Sequence, residues 1–182
     1  MEVRFFDRPG RENTEETIAL AIKRARELEI GVIVVASNSG ETAERLIGLG
    51  VEIVCVTHHV GFAGPGIDEM SQERRASLTK QDVKILTTTH LFAGIDRAIR
   101  IQAGGLYPAE IVAHTLRMFG QGVKSGIECS VMALDAGLLN FGQKVIALGG
   151  TGRGADCAIV ITPNHSNHFF SSKIHEIICK PV

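Results

Sequence analysis

Two short stretches hold the side chains most able to do chemistry. Residues 37–42 read SNSGET and residues 149–155 read GGTGRGA. The first stands between an apolar, β-branched run (GVIVVA) and a helical pattern (GETAERLIGLG), so it opens a helix. Amides at a helix start lack intrahelical acceptors and suit a phosphate. On that reading the N–H groups of Gly40, Glu41 and Thr42 face the anion. Gly40 admits close approach, and the hydroxyls of Ser37, Ser39 and Thr42 donate to phosphate oxygens. A plain cap competes: Asn38 and Glu41 have the spacing of a capping box. That explains two residues and leaves three hydroxyls unused. The Walker pattern GxxxxGK[ST] is absent.

The second stretch, Gly149, Gly150, Thr151, Gly152, Arg153 and Gly154, is flexible and carries a guanidinium fork for phosphate or carboxylate. Its competing reading is a glycine-rich hairpin with a solvated arginine. Two more strand ends approach the same region. Thr57, His58, His59, Gly61 and Phe62 follow one apolar run, and Thr87, Thr88, Thr89 and His90 follow another. Threonines before a helix read first as caps. The histidines have no cysteine or acidic cluster beside them, so no metal is expected. His165 and His168 read as surface residues, and Glu128 and Asp135 as a solvated helix face.

The elements that must position these residues follow from periodicity. Ile18, Ala21, Ile22 and Ala25 mark one face of a helix that Asn13 or Thr14 could cap. GVIVVA, the helix ending at Gly50, and VEIVCVT form a βαβ unit, which implies parallel pairing. A long loop, HHVGFAGPGIDEM, leads to a polar helix, SQERRASLTKQ. A third strand, DVKILTTTH, precedes three helical segments: FAGIDRAIRI, YPAEIVAHTLRMF and VKSGIECSVMALDAGLL. In the last, Val123, Ile127, Val131, Leu134 and Leu138 form a core-facing stripe. QKVIALGG is a fourth strand and DCAIVITP a fifth. Too few residues separate them for a parallel crossover, so they pair antiparallel through a hairpin. IHEIICKPV reads as a short last strand. Taken in the order 3-2-1-4-5, the sheet reverses between its first and fourth strands. Ligands bind at such a switch point, and the two glycine-hydroxyl loops leave those very strands.

Bulk composition narrows the function. The 182 residues suit one domain over 1–182 and are 45% hydrophobic and 21% charged, enough for a real core. Nineteen basic against twenty acidic residues give a net charge of -1, with no field for nucleic acid or an anionic membrane. The absence of Trp and a single Tyr argue against a base-stacking surface. EVRFFDRPG lacks the pattern of a secretory signal, and no apolar run could span a bilayer. Cys55, Cys129, Cys157 and Cys179 show no metal spacing and read as buried thiols. A cytoplasmic protein is expected, and a homo-oligomer is compatible with the sequence.

VIVVASNSGETAERL, VEIVCVTHH and KVIALGGTGRGADCAIVITP together resemble the C-terminal α/β domain of pyruvate kinase. The resemblance spans nearly the whole chain. PGRENTEETI, VTHHVGF, GGTGRGAD and EIICKP are most similar to its small stand-alone homologues, which lack the catalytic barrel. It implies a three-layer α/β/α sandwich with a mostly parallel sheet and an antiparallel fifth strand. In pyruvate kinase the matching loop holds a phosphate of an allosteric sugar bisphosphate; the matching positions are Ser37, Asn38, Ser39, Gly40 and Thr42. The stand-alone group is associated with FMN. The resemblance therefore implies FMN here, its phosphate on the first loop and its ring or ribityl chain near Thr57, His58, Phe62 and Gly150 to Gly154. A (β/α)8 barrel needs around 250 residues, so this chain by itself is not expected to be a pyruvate kinase.

Three functions compete on these residues: a cytoplasmic binding module for a phosphorylated small molecule, most of all FMN; an enzyme; and an interaction protein whose glycines only turn corners. The enzyme would be a flavin-dependent oxidoreductase or phosphotransferase partner with His58 or His90 in proton transfer.

Overall fold

A computed structural model describes residues 2–182. A seven-stranded sheet orders its strands β1-β7-β6-β5-β2-β3-β4. These are β1 (Arg4–Phe6), β2 (Val32–Ala36), β3 (Glu52–Thr57), β4 (Lys84–Thr87), β5 (Val145–Gly149), β6 (Cys157–Thr162) and β7 (Lys173–Pro181). The expected five-strand order is the run β4-β3-β2-β5-β6 within this sheet. Pairing is parallel from β4 to β5 and antiparallel for β5–β6, as the short connection requires. The full order extends beyond that expectation. β7, within one residue of the stretch IHEIICKPV at each end, pairs antiparallel with β6 from Lys173 to Cys179, and β1 adds parallel to β7.

Helices cover both faces. Alternation along β2 decides which side chain meets which layer. Ile33 and Val35 pack with Ile18, Ala21, Ile22 and Ala25 of α1 (Thr14–Glu27) and with Leu78 of α3 (Gln72–Thr79). Val32 and Val34 pack with Val123, Ile127 and Leu134 of α6 (Gln121–Asp135). The three-layer α/β/α class follows from these two cores. Ser71 caps α3 by accepting the Arg74 N–H. The helix expected to end at Gly50 is one turn only, α2 (Glu41–Glu44), followed by turns.

The other helices are α4 (Ile95–Ala103) and α5 (Pro108–Arg117), the latter packed on α6. No residue of α4 is buried. Every residue of 122–134 in α6 except Ser125 is buried, so α6 is a central helix rather than an amphipathic cover. Glycines let it approach the sheet: a Cβ on Gly149 would overlap the Gly122 carbonyl oxygen and lie 2.7 Å from Ser125 Oγ. The side-chain cap expected from Asn13 or Thr14 is not formed: Asn13 donates to the Arg8 carbonyl and Thr14 Oγ1 to the Arg11 carbonyl. No helix among the described residues is long and apolar enough to cross a membrane.

Candidate functional site

The loops after β2 and β5 meet. Ser37 and Asn38 from the first, and Gly150, Gly152 and Gly154 from the second, line one cavity of about 290 Å³ beyond the carboxyl ends of the strands. The end of β3 adds His58, His59 and Phe62, and the segment after β4 adds His90, Phe92 and Ala93. A second lobe of about 370 Å³ shares Ala36, Ser37, Asn38, Gly152 and Gly154. It is completed by Ser39, Glu41, Thr42, Glu69, Arg74 and Arg153. The crevice thus lies at the switch point, where β5 and β3 flank β2.

Within the first loop many polar groups already have partners. Ser37 Oγ accepts the Thr42 N–H at 3.2 Å, and the Ser37 carbonyl accepts the Gly40 N–H at 3.3 Å. The cap therefore comes from Ser37; Asn38 instead donates to Glu69 Oε1 at 2.6 Å. Glu41 pairs with Arg11 and Arg45. Gly40 sits at φ +83, with Leu78 Cδ1 2.7 Å from where a Cβ would stand. Its task is a left-handed turn packed on α3, not a cradle open to ligand.

Four other candidates also line neither lobe, for visible reasons. Thr57 is buried, and its hydroxyl lies 2.6 Å from that of Thr87. Gly61 turns the chain at φ +92, donating its N–H to the Ile67 carbonyl. Gly149 is pressed against α6. Thr151 is exposed, and its N–H donates to Asp156 Oδ2. The threonines after β4 do not cap α4, whose start is Gly94.

His58 is held by a carboxylate: Nδ1 lies 2.5 Å from Glu69 Oε2, and the ring is tilted over Phe62 with centroids 3.8 Å apart. His90 presents Nε2 to the Thr57 carbonyl at 3.1 Å and Nδ1 to Glu128 Oε2 at 3.3 Å. His59 Nδ1 is buried with no hydrogen-bond partner. His165 pairs with Asp135 at 2.8 Å on the surface, away from both lobes.

The floor of the first lobe overturns the reading of Glu128 as a solvated residue. It is 1% exposed, accepts the Phe92 N–H at 2.9 Å, and forms an ion pair with Lys124 one turn earlier. Burial alone pushes its carboxyl upward, but the His90 hydrogen bond and the Lys124 charge outweigh it and bring the group down to about 2. Asp156, 0% exposed, holds the second loop from beneath by accepting the Gly10 and Thr151 N–H groups.

The comparisons with known proteins bear on this chain as a whole. Residues 15–161 match the family model "Pyruvate kinase, alpha/beta domain". The chain belongs to that family. Two solved structures of Cryptosporidium parvum pyruvate kinase are similar to it, one of them in complex with ADP. They are 14% and 13% identical, and the match covers 91% of this chain and 23% and 22% of those chains, with TM-scores of 0.38 and 0.34. The chain spans less than a quarter of the length of those enzymes, and its described residues form no eight-stranded barrel.

For this member of the pyruvate kinase α/β-domain family, the residues that sequence reading missed come mostly from helices. Arg97, Arg117, Gln121, Lys124, Ser125 and Glu128 all line the first lobe. The one available signal was Lys124 and Glu128 four residues apart, a spacing that pairs charges on a helix but does not say they are buried. Glu69 lay in a long glycine-rich loop and carried no signal.

Proposed function

We propose that this chain binds a phosphorylated small molecule, FMN foremost, in the crevice beyond β2, β3 and β5. One observation carries the reading: two glycine-and-hydroxyl loops far apart in sequence share a crevice with convergent cationic side chains. The donor set suits such a ligand. Lys124, Arg97 and Arg117 offer charge-assisted hydrogen bonds to an anion. The paired rings of His58 and Phe62, with Phe92, offer apolar surface to a ring. The four cysteines are free and buried, which agrees with a cytoplasmic setting. Pyruvate kinase turnover is not part of this function.

The test is optical. Protein purified without added ligand is expected to carry a flavin spectrum, or to quench FMN fluorescence saturably on titration. A colourless preparation that ignores FMN excludes that ligand; a rise in Tm with sugar phosphates would then keep the broader class.

A second reading, a flavin-dependent oxidoreductase or another enzyme at the same site, is favoured by the His58–Glu69 pair. A carboxylate on Nδ1 orients an imidazole whose Nε2 has no other partner among the described residues, as an acid–base group requires. Turnover of NAD(P)H by the flavin-loaded protein, lost in His58→Gln with FMN still bound, is the expected sign of it.

A further inference from the structure

The crevice is not electrically uniform. The lobe floored by α6 gathers Arg97, Arg117 and Lys124 against one carboxylate, Glu128. The lobe beside the Ser37–Thr42 loop sets Arg74 and Arg153 against Glu41 and Glu69. Histidines apart, the first lobe carries an excess of positive charge and the second is balanced. An anion of charge near -2 is attracted to the first and gains little in the second.

Lys124 makes the distinction sharper. It is 7% exposed, and an ammonium has three donors. Glu128 Oε2 takes one, and no other acceptor approaches Nζ among the described residues; the Phe92 ring lies 5.3 Å away. Glu128 does not depend on Lys124 alone, since the Phe92 N–H and His90 Nδ1 also face it. A buried cation with donors to spare, in the wall of a cavity, is costly unless something else completes its shell. Ser125 stands beside it in the same wall. In the other lobe Ser37 serves Thr42, Asn38 serves Glu69, and Glu41 serves two arginines; Arg153, its cation without a partner among the described residues, is exposed rather than buried.

Resting on the reading of the crevice as a phosphorylated-ligand site, we infer that the phosphate binds in the Lys124–Arg97–Arg117 lobe and not on the Ser37–Thr42 loop. The body of the ligand then lies toward His58 and Phe62. The first loop is structural: it closes the crevice and fixes the end of β2.

Calorimetric titration of FMN and of inorganic pyrophosphate tests this. Arg97→Ala and Arg117→Ala, both away from the core, are expected to weaken binding of each probe about tenfold, and Lys124→Met more. Ser39→Asp, which sets a carboxylate in the other lobe, is expected to weaken it by less than about threefold. Lys124→Met also takes a compensating charge from Glu128, so Lys124→Met/Glu128→Gln is measured beside it, and the two arginine variants decide the matter if neither folds. A large loss with Ser39→Asp, and none with the arginine variants, would overturn the inference and leave the binding reading standing. Binding of neither probe to the unaltered protein would remove both.

Discussion

In the loop after β2, Ser37 caps Thr42, Asn38 holds Glu69, and Gly40 is packed against Leu78. In the loop after β5, Gly152 has open space around it and Arg153 has no partner among the described residues. The two have similar composition, and as sequence the first looks the better anion site. The difference teaches that hydroxyls and glycines report what a backbone needs before they report what a ligand needs. Here the one-turn helix leaves β2 through a left-handed residue and a side-chain cap, and those two tasks use up Gly40 and Ser37. The second loop has its own anchor, Asp156, held beneath the turn. Its upper surface remains free.

The sharpest way to break the comparison is at the base of the second loop. Gly149→Ala puts a methyl group into the Gly122 carbonyl, backbone against backbone, where neither side can yield. A loss of about 4 kcal/mol in urea unfolding, or failure to fold, is expected. A near-neutral result would mean that α6 does not approach the loop as described. Next in size is Glu128→Gln, which leaves Lys124 buried and unpaired, at a cost of about 3 kcal/mol at pH 7. Because the folded carboxyl lies near 2, below its ordinary 4.5, its contribution is present above that ordinary value. It drains away as pH falls from there toward 2. The variant should therefore lack this part of the acid-induced loss, measured as urea midpoint against pH.

Two smaller effects probe the first loop. Gly40→Ala combines a left-handed φ with contact against a flexible leucine, and about 2 kcal/mol is expected. Ser37→Ala removes the cap on Thr42 for about 1 kcal/mol. The informative measurement is thermal stability beside FMN affinity in the same variant. A structural loop loses Tm with affinity nearly unchanged, whereas a phosphate cradle loses both.

Much of this architecture could be read from the chain. β2, β3, β5 and β6 are β-branched runs buried on both faces, so they stand out whatever surrounds them. The β5–β6 hairpin followed from connection length alone. β1 did not: three residues, two of them exposed, pair only with β7, and such pairing leaves little trace in hydropathy. Of the site, the loop residues were legible because glycine and small hydroxyls are unusual at strand ends. Glu128 was read as solvated because a helical period tells which residues share a face, not how many faces are covered. For α6, the sheet lies on one side and α5 on another, with the chain after β4 closing over Glu128.

The sequence by itself determined the layers, the parallel core of the sheet and the end at which a crevice opens, because hydrophobic period and connection length are local properties of the chain. Tertiary structure alone decided which polar groups remain available there. Whether a serine faces a ligand or an amide, and whether a lysine is solvated or buried with donors to spare, depends on segments that meet only after folding. Burial multiplies the energetic consequence of each such meeting.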